Sequence, residues 1–162
     1  LDYDILQEMD LMHCAIKESL RMYPPLIMLL RYVHVPFNVT SASGKEYTIP
    51  KGDIVATSPG FAHRTPECFK EPTKWDLDRY LPPREEDKKA PFTFIGFGGG
   101  RHGCMGELFA YMQIKTILSC LLRDFELEAV DPMPEPDYDS MVVGPKGSCR
   151  IRYTRRREKL SA

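Results

Sequence analysis

The sequence contains no Cys-x-x-Cys pair, and its five cysteines are odd in number and widely scattered. That removes support for a zinc knuckle or a dense disulfide framework, and reduced thiols are expected. Long apolar runs are also missing. The longest aliphatic stretch is Leu26 to Leu30, whereas a bilayer-spanning helix needs about 20 apolar residues. Charge of one sign is not in excess, with a net charge of −1, so no nucleic acid or anionic surface is called for as a general partner. Signal peptide and initiator methionine are both lacking, and Leu1 opens inside an amphipathic pattern. We expect an upstream portion to be missing. There is no internal repeat.

What is present is one domain's length of ordinary globular composition, 43% hydrophobic and 28% charged, with an unusual 14 prolines. Prolines at that density predict long ordered loops between modest elements. Ile5, Met9, Met12, Ile16 and Leu20 form a stripe that predicts one helix, stopped at Pro24-Pro25. The strand-forming run "LIMLLRYVHVPFNV" follows, then short strands in "YTIP" and "DIVATS". Residues 59–91 show little periodicity and are expected to be loop. A second helix is predicted over 107–123, then a strand at "FELEAV" and a hairpin turning at Pro145-Lys146-Gly147. Arg155, Arg156, Arg157 and Lys159 read as a solvated terminus. The sequon at Asn38 matters only in a secretory lumen.

The densest chemistry lies in "FGGGRHGCMG", Phe97 to Gly106, between an apolar stretch and a helix. Three readings compete for it. Gly98, Gly100 and Gly103 satisfy the dinucleotide fingerprint, which needs further βα units to form a site. Cys104 at a helix mouth has the setting of a nucleophile, with His102 as the adjacent base. A haem-ligating thiolate uses more of the loop. Glycines allow close approach to a flat ring, Arg101 or His102 is available for a propionate, and Phe97 would shield the sulfur.

With these residues in view, the chain resembles the C-terminal part of a cytochrome P450, a haem-thiolate monooxygenase. The family's F-x-x-G-x-[RH]-x-C-x-G signature reads here as Phe97, Gly100, His102, Cys104 and Gly106. Glu18 and Arg21 match its E-x-x-R helix, and lie on one helical face. Arg79 in "KWDLDRY" matches the third member of that charge cluster, although the segment lacks the family's proline. The stretches "PPLIMLLR", "YTIPKGD", "FAYMQIKTI" and "MVVGP" resemble the sterol 14α-demethylase branch.

The resemblance implies a fold that is mainly α with small β-sheets (α+β). Residues 1–162 would form a partial cytochrome P450 domain, comprising the E-x-x-R helix, a meander, the cysteine loop, a helix and a terminal hairpin. It implies haem b (iron protoporphyrin IX), with Cys104 as axial ligand, Arg31 and His102 on the propionates, and Phe97, Gly100 and Gly106 shaping the loop. Leu26, Met28, Leu30 and Met141 would face substrate, and the same residue types suit a core equally well. Glu18, Arg21 and Arg79 would be structural. The implied reaction removes the 14α-methyl group of a sterol by three successive oxidations with O2. Electrons would come from NADPH-cytochrome P450 reductase, for which Arg101 and Lys115 are candidate contacts. The resemblance also implies residence on the cytosolic face of the endoplasmic reticulum membrane, held by an anchor upstream. The alternatives are the dinucleotide module and a non-catalytic fragment.

Overall fold

The structure, a computed structural model, describes residues 2–140 and 142–156. The stripe at the start forms two helices rather than one: α1 (Tyr3–Gln7) and α2 (Asp10–Met22). The break at Glu8–Met9 frees carbonyls at the end of α1, and a distant side chain answers them. Lys115 Nζ donates to Leu6 O at 2.7 Å and reaches Gln7 O at 3.5 Å. α2 stops just before Pro24-Pro25, as the prolines require.

Four short strands follow: β1 (Leu29–Tyr32), β2 (Phe37–Thr40), β3 (Glu46–Ile49) and β4 (Ile54–Thr57). β2 and β3 form one antiparallel pair, and β1 and β4 a second around it. The single turn α3 (Pro59–Ala62) is capped by Ser58 Oγ, which accepts from the Phe61 amide. A meander then leads through short 3-10 turns at 77–80 and 86–88 to the cysteine loop. Helix α4 (Glu107–Asp124) and strand β5 (Phe125–Ala129) follow as the sequence predicts.

The terminal hairpin differs from expectation. β7 (Gly144–Pro145) pairs with β6 (Pro136–Asp137), while β8 (Ile151–Arg155) pairs with β5. The arms flanking Pro145-Lys146-Gly147 thus have different partners, because Asp131 pins the second arm through the Arg150 amide and guanidinium. Arg155 and Arg156 are exposed, as a solvated terminus requires, but Arg155 is paired in β8 and Arg156 donates to Leu122 O at the end of α4. Arg157 and Lys159 lie outside the described residues.

The α+β class is as expected, with only two-stranded antiparallel sheets among the described residues. The interior is unusual in its chemistry. Phe69, Ile16, Ile95 and Tyr111 are buried beside Glu18, Arg21, His63, Arg79, Glu86 and Lys115. A core so rich in charge is held by directional bonds as much as by apolar area.

Candidate functional site

The charge cluster sits where α2 meets the meander. Arg21 grips Glu18 with two parallel bonds, Nε to Oε2 at 2.7 Å and Nη2 to Oε1 at 2.9 Å. Arg79 Nε reaches the same carboxylate at 3.1 Å, and its Nη1 donates to Glu86 Oε2 at 2.7 Å. The missing proline in this segment therefore does not prevent Arg79 from pairing. The remaining guanidinium protons go to backbone carbonyls of His63, Pro72, Lys70 and Lys74. Tyr80 Oη and the Asp76 amide complete the shell of Glu18.

Burial by itself would raise the Glu18 carboxyl. Hydrogen bonds from Arg21, Tyr80 and the Asp76 amide, with the charge of Arg21, outweigh it and hold the group below the usual range. Burial and the Glu18 bond together push the Tyr80 phenol far up, so it remains a donor. Tyr80 closes the same motif segment as Arg79, while nothing in the sequence marks Glu86. Glu86 lies in "REED", which reads as a solvated charge run.

The cysteine loop has the opposite character. Gly98 and Gly100 adopt left-handed φ of 75° and 59°, which glycine tolerates without the steric penalty of a β-carbon. A Cβ on Gly98 would also lie 3.1 Å from His102 O. The Gly98 amide donates to Ile95 O at 3.0 Å, and the Cys104 amide to Phe97 O at 2.8 Å. These bonds fold the loop back and deliver Cys104 three residues before Glu107, the first residue of α4. The thiol is exposed, and no side chain caps α4 at Gly106. The exposed thiol therefore lies beside the start of α4. Phe97 is half-buried against Tyr111, ring centroids 5.3 Å apart.

Beside the loop lies a cleft of about 200 Å³ bordered by Leu29, Arg31, Phe92, Ile95 and Gly99. It brings Arg31 from β1 to the cysteine loop. The guanidinium donates to its neighbour's carbonyl, Leu30 O, and forms no ion pair among the described residues. His102 is exposed in the 3-10 turn Gly100–His102 and does not border this cleft. Phe92, missed in the sequence, is exposed at a left-handed φ of 64° and packs on Gly99. An exposed thiol at an uncapped helix mouth, a glycine-flattened loop and an unpaired arginine in the adjoining cleft fit a flat, anionic, metal-centred ring.

Leu26, Met28 and Leu30 are all exposed, so they are not core. Only Leu30 lies in β1, because the Pro24-Pro25 corner continues irregularly to Met28 and prevents a shared strand face. Met28 borders a second cleft, of about 320 Å³, with Ile27, Tyr138 and Val143. The Val143 amide donates to Pro25 O at 2.9 Å, which draws the terminal segment to this side. Met141 lies outside the described residues. Lys115 is buried and bonded to α1, so it is unavailable as a docking contact; Arg101 is exposed. The dinucleotide reading fails for want of a parallel sheet among the described residues. No hydrogen bond among them joins the His102 ring to Cys104.

Comparison with known proteins agrees. The family model "Cytochrome P450" matches residues 1–151. The chain is 60% identical to "Sterol 14-demethylase" of Arabidopsis thaliana and 59% identical to "Obtusifoliol 14-alpha demethylase" of Sorghum bicolor, over 96% and 97% of its length. Among solved structures, "Retinoic acid bound cyanobacterial CYP120A1" superposes with a TM-score of 0.83 at 24% identity, covering 96% of this chain and 34% of that one. The chain belongs to the cytochrome P450 family, and its fold is that of part of a family member's chain. Membership implies a haem cofactor. The chain spans about a third of the curated relatives, 32% of each of the two named here.

Proposed function

We propose that these residues form the thiolate side of a sterol 14α-demethylase. The observation that carries the reading is Cys104, exposed at the mouth of α4 in a loop with the complete family signature. Its support from relatives lies in their identity and in their printed names.

In this reading Cys104 would hold haem b as its thiolate ligand, from a position beside the start of α4. Arg31 and His102 pair with the two propionates, Arg31 with the geometric advantage of its fork. Phe97, supported by Tyr111, keeps water from the sulfur. Haem, when bound, supplies the activation of dioxygen. Leu26, Met28 and Leu30 present apolar surface to the sterol. The 14α-methyl group would be released as formate after three successive oxidations that consume O2, with electrons from NADPH-cytochrome P450 reductase at the endoplasmic reticulum membrane. Arg101 remains the candidate contact for that partner.

The test is the carbon-monoxide difference spectrum of the reduced, full-length, haem-loaded protein beside its Cys104→Ser variant. A strongly red-shifted Soret band, lost in the variant, is the expected result. A folded, haem-loaded protein without it overturns the reading. Obtusifoliol, in the Sorghum relative's name, is the first sterol to offer, with loss of its 14α-methyl group as the readout.

A further inference from the structure

His63 is buried without residual exposure and touches both regions of the site. It follows α3 directly. Its carbonyl accepts Arg21 Nη1 at 2.9 Å, which ties it to the charge cluster. Its ring lies flat on Phe94, centroids 4.9 Å apart and planes at 6°, with Phe69 edge-on. Its Nε2 accepts the amide proton of Ile95 at 2.9 Å. An acceptor at Nε2 places the ring proton on Nδ1, which has no partner among the described residues. Burial, then the charges of Arg21 and Arg64, keep the ring neutral, with its pKa lowered to about 4.

From Ile95 the path to the cysteine is short. Ile95 O receives the Gly98 amide and Phe97 O receives the Cys104 amide. Gly96 lies close against the Phe94 ring that His63 stacks on, and a Cβ there would lie 2.7 Å from Phe94 Cζ. The place of residue 95 therefore sets where the loop begins.

We propose that His63 is a positioning residue: its Nε2 anchors the Ile95 amide to the buried charge cluster and so fixes the cysteine loop at the depth its ligand requires. The inference rests on Cys104 being the haem ligand, and His63 acts on it only through Ile95. A packing role alone would be met by any ring of similar shape; an anchoring role needs an acceptor at one point in space.

His63→Phe keeps the ring and removes the acceptor, His63→Gln places an amide oxygen near the position of Nε2, and His63→Asn falls one bond short. The full-length, haem-loaded protein and these variants are compared by carbon-monoxide difference spectrum and by hydrogen exchange at the Ile95 amide. We expect His63→Gln to keep the red-shifted band. His63→Phe and His63→Asn should raise the ratio of unshifted to red-shifted haem by about tenfold and speed Ile95 exchange by about the same factor, the equivalent of one lost hydrogen bond. If His63→Phe does not fold, the Gln and Asn pair decides, and equal spectra with equal exchange in those two overturn the inference. A wild-type protein without the band overturns the cysteine–haem reading and this inference with it. A wild-type band unchanged in all variants overturns this inference alone.

Discussion

The charge cluster around Glu18 and the loop around Cys104 treat polar groups in opposite ways. In the cluster, Glu18, Arg21 and Arg79 are fully buried, and the proton donors and acceptors are met within the chain. In the loop, Cys104, His102 and neighbouring Arg31 are exposed and have no charged partner among the described residues. A group that has spent its bonds on its own backbone has none left for a ligand. The cluster therefore holds the meander in place, and the loop keeps its valences for something from outside. The sharpest way to break this contrast is Glu18→Ala, which strands the buried Arg21 guanidinium and leaves Arg79 with Glu86 as its one carboxylate partner. It should destabilise the full-length protein by about 3–5 kcal/mol, the cost of removing one partner of a buried ion pair, as read by urea unfolding.

Acid should separate the contributions of His63 and the carboxylates. Burial and the charges of Arg21 and Arg64 hold His63 at about 4 in the folded chain against 6.5 ordinarily. Between those values the unfolded chain takes up a proton that the folded chain refuses. Stability therefore falls as pH drops from 6.5 towards 4, by about 2 kcal/mol at pH 5, and this contribution levels off below. Glu18 and Glu86 carry folded values below the ordinary 4.5, despite burial, through their arginine and amide bonds. Their contribution is present above 4.5 and is lost only as pH falls through their lowered values. Unfolding measured across a pH series should thus weaken in two stages. His63→Gln should flatten the first stage and leave the second, while His13, also lowered by burial and by Lys17 and Lys115, retains its share of the first.

A smaller effect distinguishes a buried lysine from a docking lysine. Lys115 answers the carbonyls at the end of α1, so Lys115→Met should cost about 1.5–3 kcal/mol, the value of a charge-assisted bond. A surface contact for a reductase would instead leave stability within about 0.5 kcal/mol and lower the electron-transfer rate in a salt-dependent way.

The sequence made the site more legible than its framework. Cys104 and Gly100 stand out in one short loop that leaves three readings open, while Gly106, Glu18, Arg21 and Arg79 are marked by resemblance to the family's motifs. What stayed hidden depends on residues distant in sequence. Lys115 lies in a helical pattern that reads as surface, because its partners are backbone carbonyls 108 and 109 positions away. Glu86 is indistinguishable from its solvated neighbours until Arg79 is seen beside it. The apolar stripe from Ile5 to Leu20 predicts one helix, since periodicity continues through a break that serves Lys115. Leu26, Met28 and Leu30 alternate on paper, and only the Pro24-Pro25 corner shows that they share no strand.

The smallest expected change in stability falls on the residue of greatest chemical interest. Cys104 Sγ contacts little of its own chain, and its backbone bonds to Phe97 and Glu107 survive any side-chain change. In the haem-free protein Cys104→Ser should therefore leave unfolding within about 0.5 kcal/mol of wild type. Adding haem should separate the two, because a ligand held only by the native state stabilises it in proportion to its affinity. Wild type should gain and Cys104→Ser should gain less. If the variant is instead destabilised in the haem-free protein as strongly as Glu18→Ala, Cys104 is a structural residue, and the division between a closed cluster and an open loop does not hold.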